Sequence, residues 1–202
     1  MKITNLTIKT GANFKIETNN PQIACKQNSN QLVIKEKHKW FSTKNDNDLI
    51  IYIPKEMMFE TVEIDTGAGN VTIEKLETKK MSFDIGAGEV KMKHLNVTEE
   101  AKIDSGAGKV EILSSSIKNL DLDVGVGKFI LNAKLSGKND IDAGVGELDI
   151  NLTDGIENYT IRANKGIGSI SLAGKEVSEN IKYGEGDTYI EIEGGIGAID
   201  IK

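Results

Sequence analysis

The sequence predicts an all-β fold, a single β-solenoid of stacked, β-helix-like coils with a period near 20 residues. Three observations predict it. A Gly-x-Gly element recurs seven times. Apolar and polar residues alternate on both sides of it, the period of a half-buried strand. No copy leaves room for a helix of about ten residues or more, so a β/α solenoid is not expected.

The first glycines are Gly67, Gly86, Gly106, Gly125, Gly144, Gly166 and Gly195, at spacings of 19, 20, 19, 19, 22 and 29. The second glycines are Gly69, Gly88, Gly108, Gly127, Gly146, Gly168 and Gly197. All fourteen are candidate structural corners. In the first copy Val62 and Ile64 share one parity, and Val71 and Ile73 the other. The slip across Gly69 predicts a bend or bulge, which glycine accommodates because it tolerates positive φ and close backbone approach. Two topologies fit this pattern. In a solenoid each copy is one coil; in an antiparallel barrel or sandwich each copy is a hairpin turning at the glycines. The residue between the glycines favours the solenoid. It is Ala68, Ala87, Ala107, Val126, Val145, Ile167 or Ile196, never the Asn or Asp of a hairpin turn. A buried apolar ladder at a tight corner is the expectation for it, with the corner widening toward the C-terminus.

Residues 1–60 read as the same architecture with the repeat decayed, as degenerate coils or a cap, and 61–202 as the regular repeats of one continuous 1–202 domain. Gly11 to Ile16 is a shortened echo of the corner, and Gln31–Ile34 and Leu49–Ile53 are further strands, the latter ended by Pro54. A long excursion from Gly174 to Asp187 accounts for the spacing of 29.

Composition narrows the chemistry. The 202 residues carry a net charge of -6, one cysteine, two histidines and one arginine, Arg162. No internal disulfide can form, and Cys/His zinc sites and arginine clamps lack their residues. Nucleic acid is not an expected partner of so acidic a chain. The opening Met1–Ile8 has no apolar run of the signal-peptide type, so none is expected in this chain, and no stretch is long and apolar enough for a transmembrane segment. Cys25 reads as a small apolar residue, and His94 as a surface residue in a turn.

Ile53-Pro54-Lys55, the repeated Ile-Asp-x-Gly-x-Gly-x-Val-x-Ile and the closing Gly194 to Ile201 together resemble a bacterial family of adhesin-like domains of unknown function. The resemblance spans nearly the whole chain and implies β-strand repeats and surface attachment. It supplies no catalytic residue. Many relatives carry Asp after the corner; here Asn70, Glu89, Lys109, Lys128, Glu147, Ser169 or Ala198 stands there.

Two features carry candidate function. Asp65, Asp84, Asp104, Asp123 and Asp142 precede successive corners by two residues and face outward by parity. Stacked in a solenoid, neighbours repel by roughly 1–3 kcal/mol per pair. Either bound Ca²⁺ or an Asx-type hydrogen bond from a corner N–H offsets that, and the structural Asx column is the expectation. The period of nine of a calcium-binding roll is absent, and no metal or cofactor is expected. The second feature is the loop at Lys37, Lys39, Trp40 and Phe41, a candidate surface-binding loop for an anionic membrane or acidic glycan, although capping of the open end of the core is the favoured reading because Glu36, Asp46 and Asp48 dilute its basic charge. The reading is a non-catalytic repeat protein that presents a surface to an unidentified cell-surface, glycan or protein partner. The alternatives are a polysaccharide-acting β-helix enzyme, and an intracellular filament former pairing through end strands near Ile3–Ile8 and Ile199–Lys202.

Overall fold

The computed structural model describes residues 5–36, 48–177 and 180–202. The Lys37, Lys39, Trp40 and Phe41 loop lies outside them. β1 (Asn5–Gly11), β2 (Lys15–Thr18), β3 (Ile23–Asn28), β4 (Gln31–Glu36) and β5 (Asp48–Pro54) precede the regular coils. β6 (Phe59–Lys118) winds through three corners, and β7 (Leu120–Ser136) and β8 (Lys138–Leu152) through one each. A 3-10 turn (Ile156–Asn158) leads into β9 (Tyr159–Asn164), β10 (Ile167–Leu172), β11 (Lys175–Val177), β12 (Ile181–Tyr183), β13 (Thr188–Glu193) and β14 (Ile196–Ile201).

The strands stack in parallel register, as coils do and hairpins do not. Gly108 pairs with Gly127, Gly127 with Gly146, Gly146 with Gly197 and Gly197 with Gly168. Each coil sends one strand into the corner and one out, and their inward residues build continuous ladders. Ile103, Leu122, Ile141, Ile192 and Ala163 stack on the entering side, and Val110, Phe129, Leu148, Ile199 and Ile170 on the leaving side. All ten are buried. Ile112, Leu131 and Ile150 continue the core, and burial of each such side chain contributes about 1.5–3 kcal/mol.

The corner explains the glycines. A Cβ on Gly106 would lie closer than 3.0 Å to the carbonyl oxygens of Gly86 and Ile85 in the coil before. A Cβ on Gly125 would meet those of Gly106 and Ser105 in the same way, and one on Gly127 that of Gly108. The corner backbones lie directly on one another, and no side chain fits between them. The second glycine also turns the chain, with φ of 134° at Gly108 and 137° at Gly127. Gly67 begins the series and has no atom within 4 Å of its Cβ position.

The order of the coils departs from the sequence at the C-terminal end. β13 pairs in parallel with both β8 and β9, and β14 with both β8 and β10. The seventh copy is therefore inserted between the fifth and the sixth. Gly195 packs on Gly144, and Gly166 on Gly194 and Gly195. Asn139, fully buried, ties the insertion in: its Oδ1 accepts the Leu120 N–H at 3.1 Å and its Nδ2 donates to the Tyr189 carbonyl at 3.0 Å. β1 is likewise interior, paired in parallel with β5 and β6. Within the described residues, the end strands nominated for filament pairing, which fall in β1 and β14, are thus already flanked on both sides. Antiparallel strands close the outer coils instead: β2 on β5, β11 on β10 and β12 on β9. The excursion from Gly174 to Asp187 supplies β11 and β12. β3 and β4 form a separate hairpin, on which Cys25 is exposed rather than packed as an apolar residue, because a two-stranded sheet has no second layer to bury it.

Two outcomes follow for thermal unfolding of glycine variants. Gly125→Ala is expected to cost about 3 kcal/mol or more, and Gly67→Ala less than about 0.5 kcal/mol. Gly195→Ala, although near the chain end, is expected to match Gly125→Ala. A mild effect there would mean that the last copy frays.

Candidate binding surface

The strand entering each corner carries its outward residues on one open face. Asp104, Asp123, Asp142, Glu193 and Asn164 stand in register, so Glu193 extends the column and Asn164 ends it. Asp65 and Asp84 are exposed on the same side of the earlier coils. Two residues earlier a second column runs Lys102, Asp121, Asp140, Glu191 and Arg162. The sequence reading missed this second column, although the period of two that exposes Asp123 exposes Asp121 as well.

The column carboxylates interact with side chains and not with the corner. Asp123 shares a hydrogen bond with Asp104, and Asn164 Nδ2 donates to Glu193 Oε1. Among the described residues no corner N–H donates to a column carboxylate, which corrects the Asx expectation. The corner backbones run in ladder register with the neighbouring coils. The hydrogen bond that the protonated Asp123 carboxyl donates to Asp104, partial burial and the charges of Asp104, Asp121 and Asp142 raise Asp123 above the usual Asp value. Lys102 lies 3.9 Å from Asp104 and 3.8 Å from Asp121, and Lys138 lies 3.0 Å from Asp140. Among the described residues no three His, Cys, Asp or Glu side chains converge to hold a metal ion.

Beside the column lies an open groove of about 380 Å³. It is lined by Asp84, Asp104, Asp123 and Asp142, by Ile85, Ser105, Val124 and Ala143, and by the first glycines of four corners.

The corner residue itself overturns an expectation. Ala68 is buried, but Val126 is 58% exposed, Val145 46%, Ile196 53% and Ile167 75%. Where both glycines of a corner are pressed on the neighbouring coil, as at Val126, Val145, Ile196 and Ile167, the residue between them points into solvent. In spatial order the ladder reads Ala107, Val126, Val145, Ile196 and Ile167, so it grows bulkier toward one end. On its far side stand Lys109, Lys128, Glu147, Ala198 and Ser169. Lys128 bonds Glu147 at 2.8 Å and Asp149 at 3.1 Å, and Lys109 bonds Glu111 at 2.6 Å. Among the described residues no helix is long and apolar enough to cross a membrane.

This geometry defines a class: a glycine-cornered β-solenoid whose corners form an exposed apolar ridge beside an acidic face. The chain belongs to the family described as Toastrack DUF4097, whose sequence pattern matches residues 3–193. No curated protein matches it. It is similar to a candidate cell adhesion protein from Clostridium sporogenes, at 22% identity and a TM-score of 0.36, over 100% of this chain and 92% of that one. It is also similar to a candidate adhesin from Bacteroides fragilis, at 10% identity and a TM-score of 0.32, over 100% of this chain and 89% of that one.

The raised Asp123 carboxyl sets a pH dependence. A folded pKa above the unfolded one gives stability that is full below the unfolded value and is lost as pH rises through the folded value. Asp123→Asn is therefore expected to raise the Tm at neutral pH, with the gain shrinking as pH falls through the carboxylate range. Thermal melts of both proteins from about pH 7 to pH 4 check this; a pH-independent difference would contradict it.

Proposed function

We propose that the protein is a non-catalytic, adhesin-like binding module of the bacterial cell envelope, and that the corner ridge with its acidic flank is the contact surface. One observation carries the reading. Of the seven large apolar side chains exposed among the described residues, four, Val126, Val145, Ile196 and Ile167, stand in one ladder. Scattered exposed apolar residues are ordinary, but an aligned row rimmed by polar groups marks an interaction site. We take residues 1–202 as one unit, with residues 1–60 as its atypical end.

A binding role suits the carboxylates better than a catalytic one. Glycosidic hydrolysis uses an acid and a base on either side of the bond to be broken. Here, among the described residues, the acids lie in repeated copies along one open face rather than on opposite sides of a cleft. The same negative field disfavours nucleic acid.

The test is binding of the labelled full chain to envelope preparations of the bacterium that encodes it. The double variant Val145→Ser with Ile196→Ser is expected to retain its Tm and to lose roughly tenfold in binding. Undiminished binding by the folded variant would contradict the reading.

A further inference from the structure

Resting on that reading, we infer that the ridge receives a basic amphipathic α-helix, laid along the stack. Its apolar stripe would sit on Val126, Val145, Ile196 and Ile167, and its Lys or Arg residues over Asp123, Asp142 and Glu193.

The first argument is pitch. Ridge side chains follow one another by one coil, about 4.8 Å. An α-helix presents its stripe about once per turn of 5.4 Å, so the four ridge positions span about 14 Å against about 16 Å for the helix. Same-face residues of an extended strand come about every 6.7 Å and leave register by the second step. The corner backbone is already paired on both sides through most of the stack, which leaves little edge for strand addition.

The second argument is charge. Asp104, Asp123, Asp142 and Glu193 form a continuous acidic rail beside the ridge, and the nearby Lys102 is shared between Asp104 and Asp121. A row of cations at helical spacing would relieve that rail. A second copy of the chain is a poorer occupant. The chain carries a net charge of -6, and ridges packed antiparallel would set acidic rail against acidic rail. Ridges packed parallel would set Asp104 and Asp123 against Lys109 and Lys128, but those lysines are already paired with Glu111, Glu147 and Asp149 of their own chain, and Asp142 would face Glu147. An anionic membrane is disfavoured by the same rail.

The experiment uses the full chain and a fluorescent peptide of about 18 residues, made of Leu and Lys with leucines at i, i+3, i+4 and i+7. Anisotropy measures binding and circular dichroism measures helix induced on binding. The expected result is binding with gain of helix, weakened roughly tenfold or more by Val145→Ser with Ile196→Ser. Asp123→Asn with Asp142→Asn is expected to weaken binding and to flatten its salt dependence between about 50 and 300 mM. Three results would overturn the inference: equal affinity for a scrambled Leu/Lys peptide, binding indifferent to the ridge variant, or no binding alongside ridge-dependent self-association in sedimentation. If the peptide fails while envelope binding still depends on the ridge, the helix assignment falls and the binding surface stands. If envelope binding is also indifferent to the ridge, both fall.

Discussion

The contact on which the structure depends is backbone against backbone at the corner. From Gly86 onward, stacked corners approach so closely that a single methyl group on either glycine would overlap a carbonyl of the neighbouring coil. That distance is the ordinary spacing of neighbouring strands, held through a sharp bend. A bend normally interrupts a sheet, because side chains crowd on its inside and hydrogen bonds lose their alignment. Two glycines remove the crowding, and the positive φ of the second re-aims the chain so that pairing resumes at once. The inward ladders on either side then stack without interruption, and the core follows.

The same contact gives every coil the same coupling surface, with consequences at both ends. Any glycine-cornered segment can pack on any other, so proximity in sequence does not decide which neighbours pair. β13 and β14 enter between β8 and the coil of β9 and β10, and β1 enters between β5 and β6. What remains outermost is antiparallel and short, or charged as in Lys15 and Glu17 of β2. Such edges do not invite further parallel coils, which is how a repetitive sheet avoids growing into a fibre. Surface chemistry follows from the corner too. In the later corners the residue between the two glycines points into solvent, and the stack lines these residues up into a ridge.

Much of this was legible in the sequence. Spacing near 20 with glycine pairs defined the coil, alternation marked a strand on each side of every corner, and parity placed the aspartates outside. The order of the last two coils was not legible, because Gly166-Ile167-Gly168 and Gly195-Ile196-Gly197 carry the same pattern. Buried Asn139, which bridges Leu120 and Tyr189, marks the insertion only once the fold is known. The ridge was misread because small apolar residues at a tight corner suggest burial. Parity counted through the corner gives that answer, and the rotation of the glycines breaks the count. The aspartates were assigned to corner N–H groups for a related reason: turn chemistry applies to isolated turns, and here each corner stacks in register on its neighbour, leaving the carboxylates to one another.

The account's central claim is that corner stacking, not chain order, decides which coils are neighbours. Cysteine pairs on a Cys25→Ser background test it most directly. Val145 and Ile196 stand on adjacent coils, whereas Val145 and Ile167 are separated by the inserted one. Adjacent strands lie about 4.8 Å apart, within disulfide reach, and next-but-one strands about 9.6 Å apart, beyond it. Val145→Cys with Ile196→Cys is predicted to cross-link under mild oxidation, and Val145→Cys with Ile167→Cys to remain reduced. Cross-linking of the second pair in preference to the first would contradict the account.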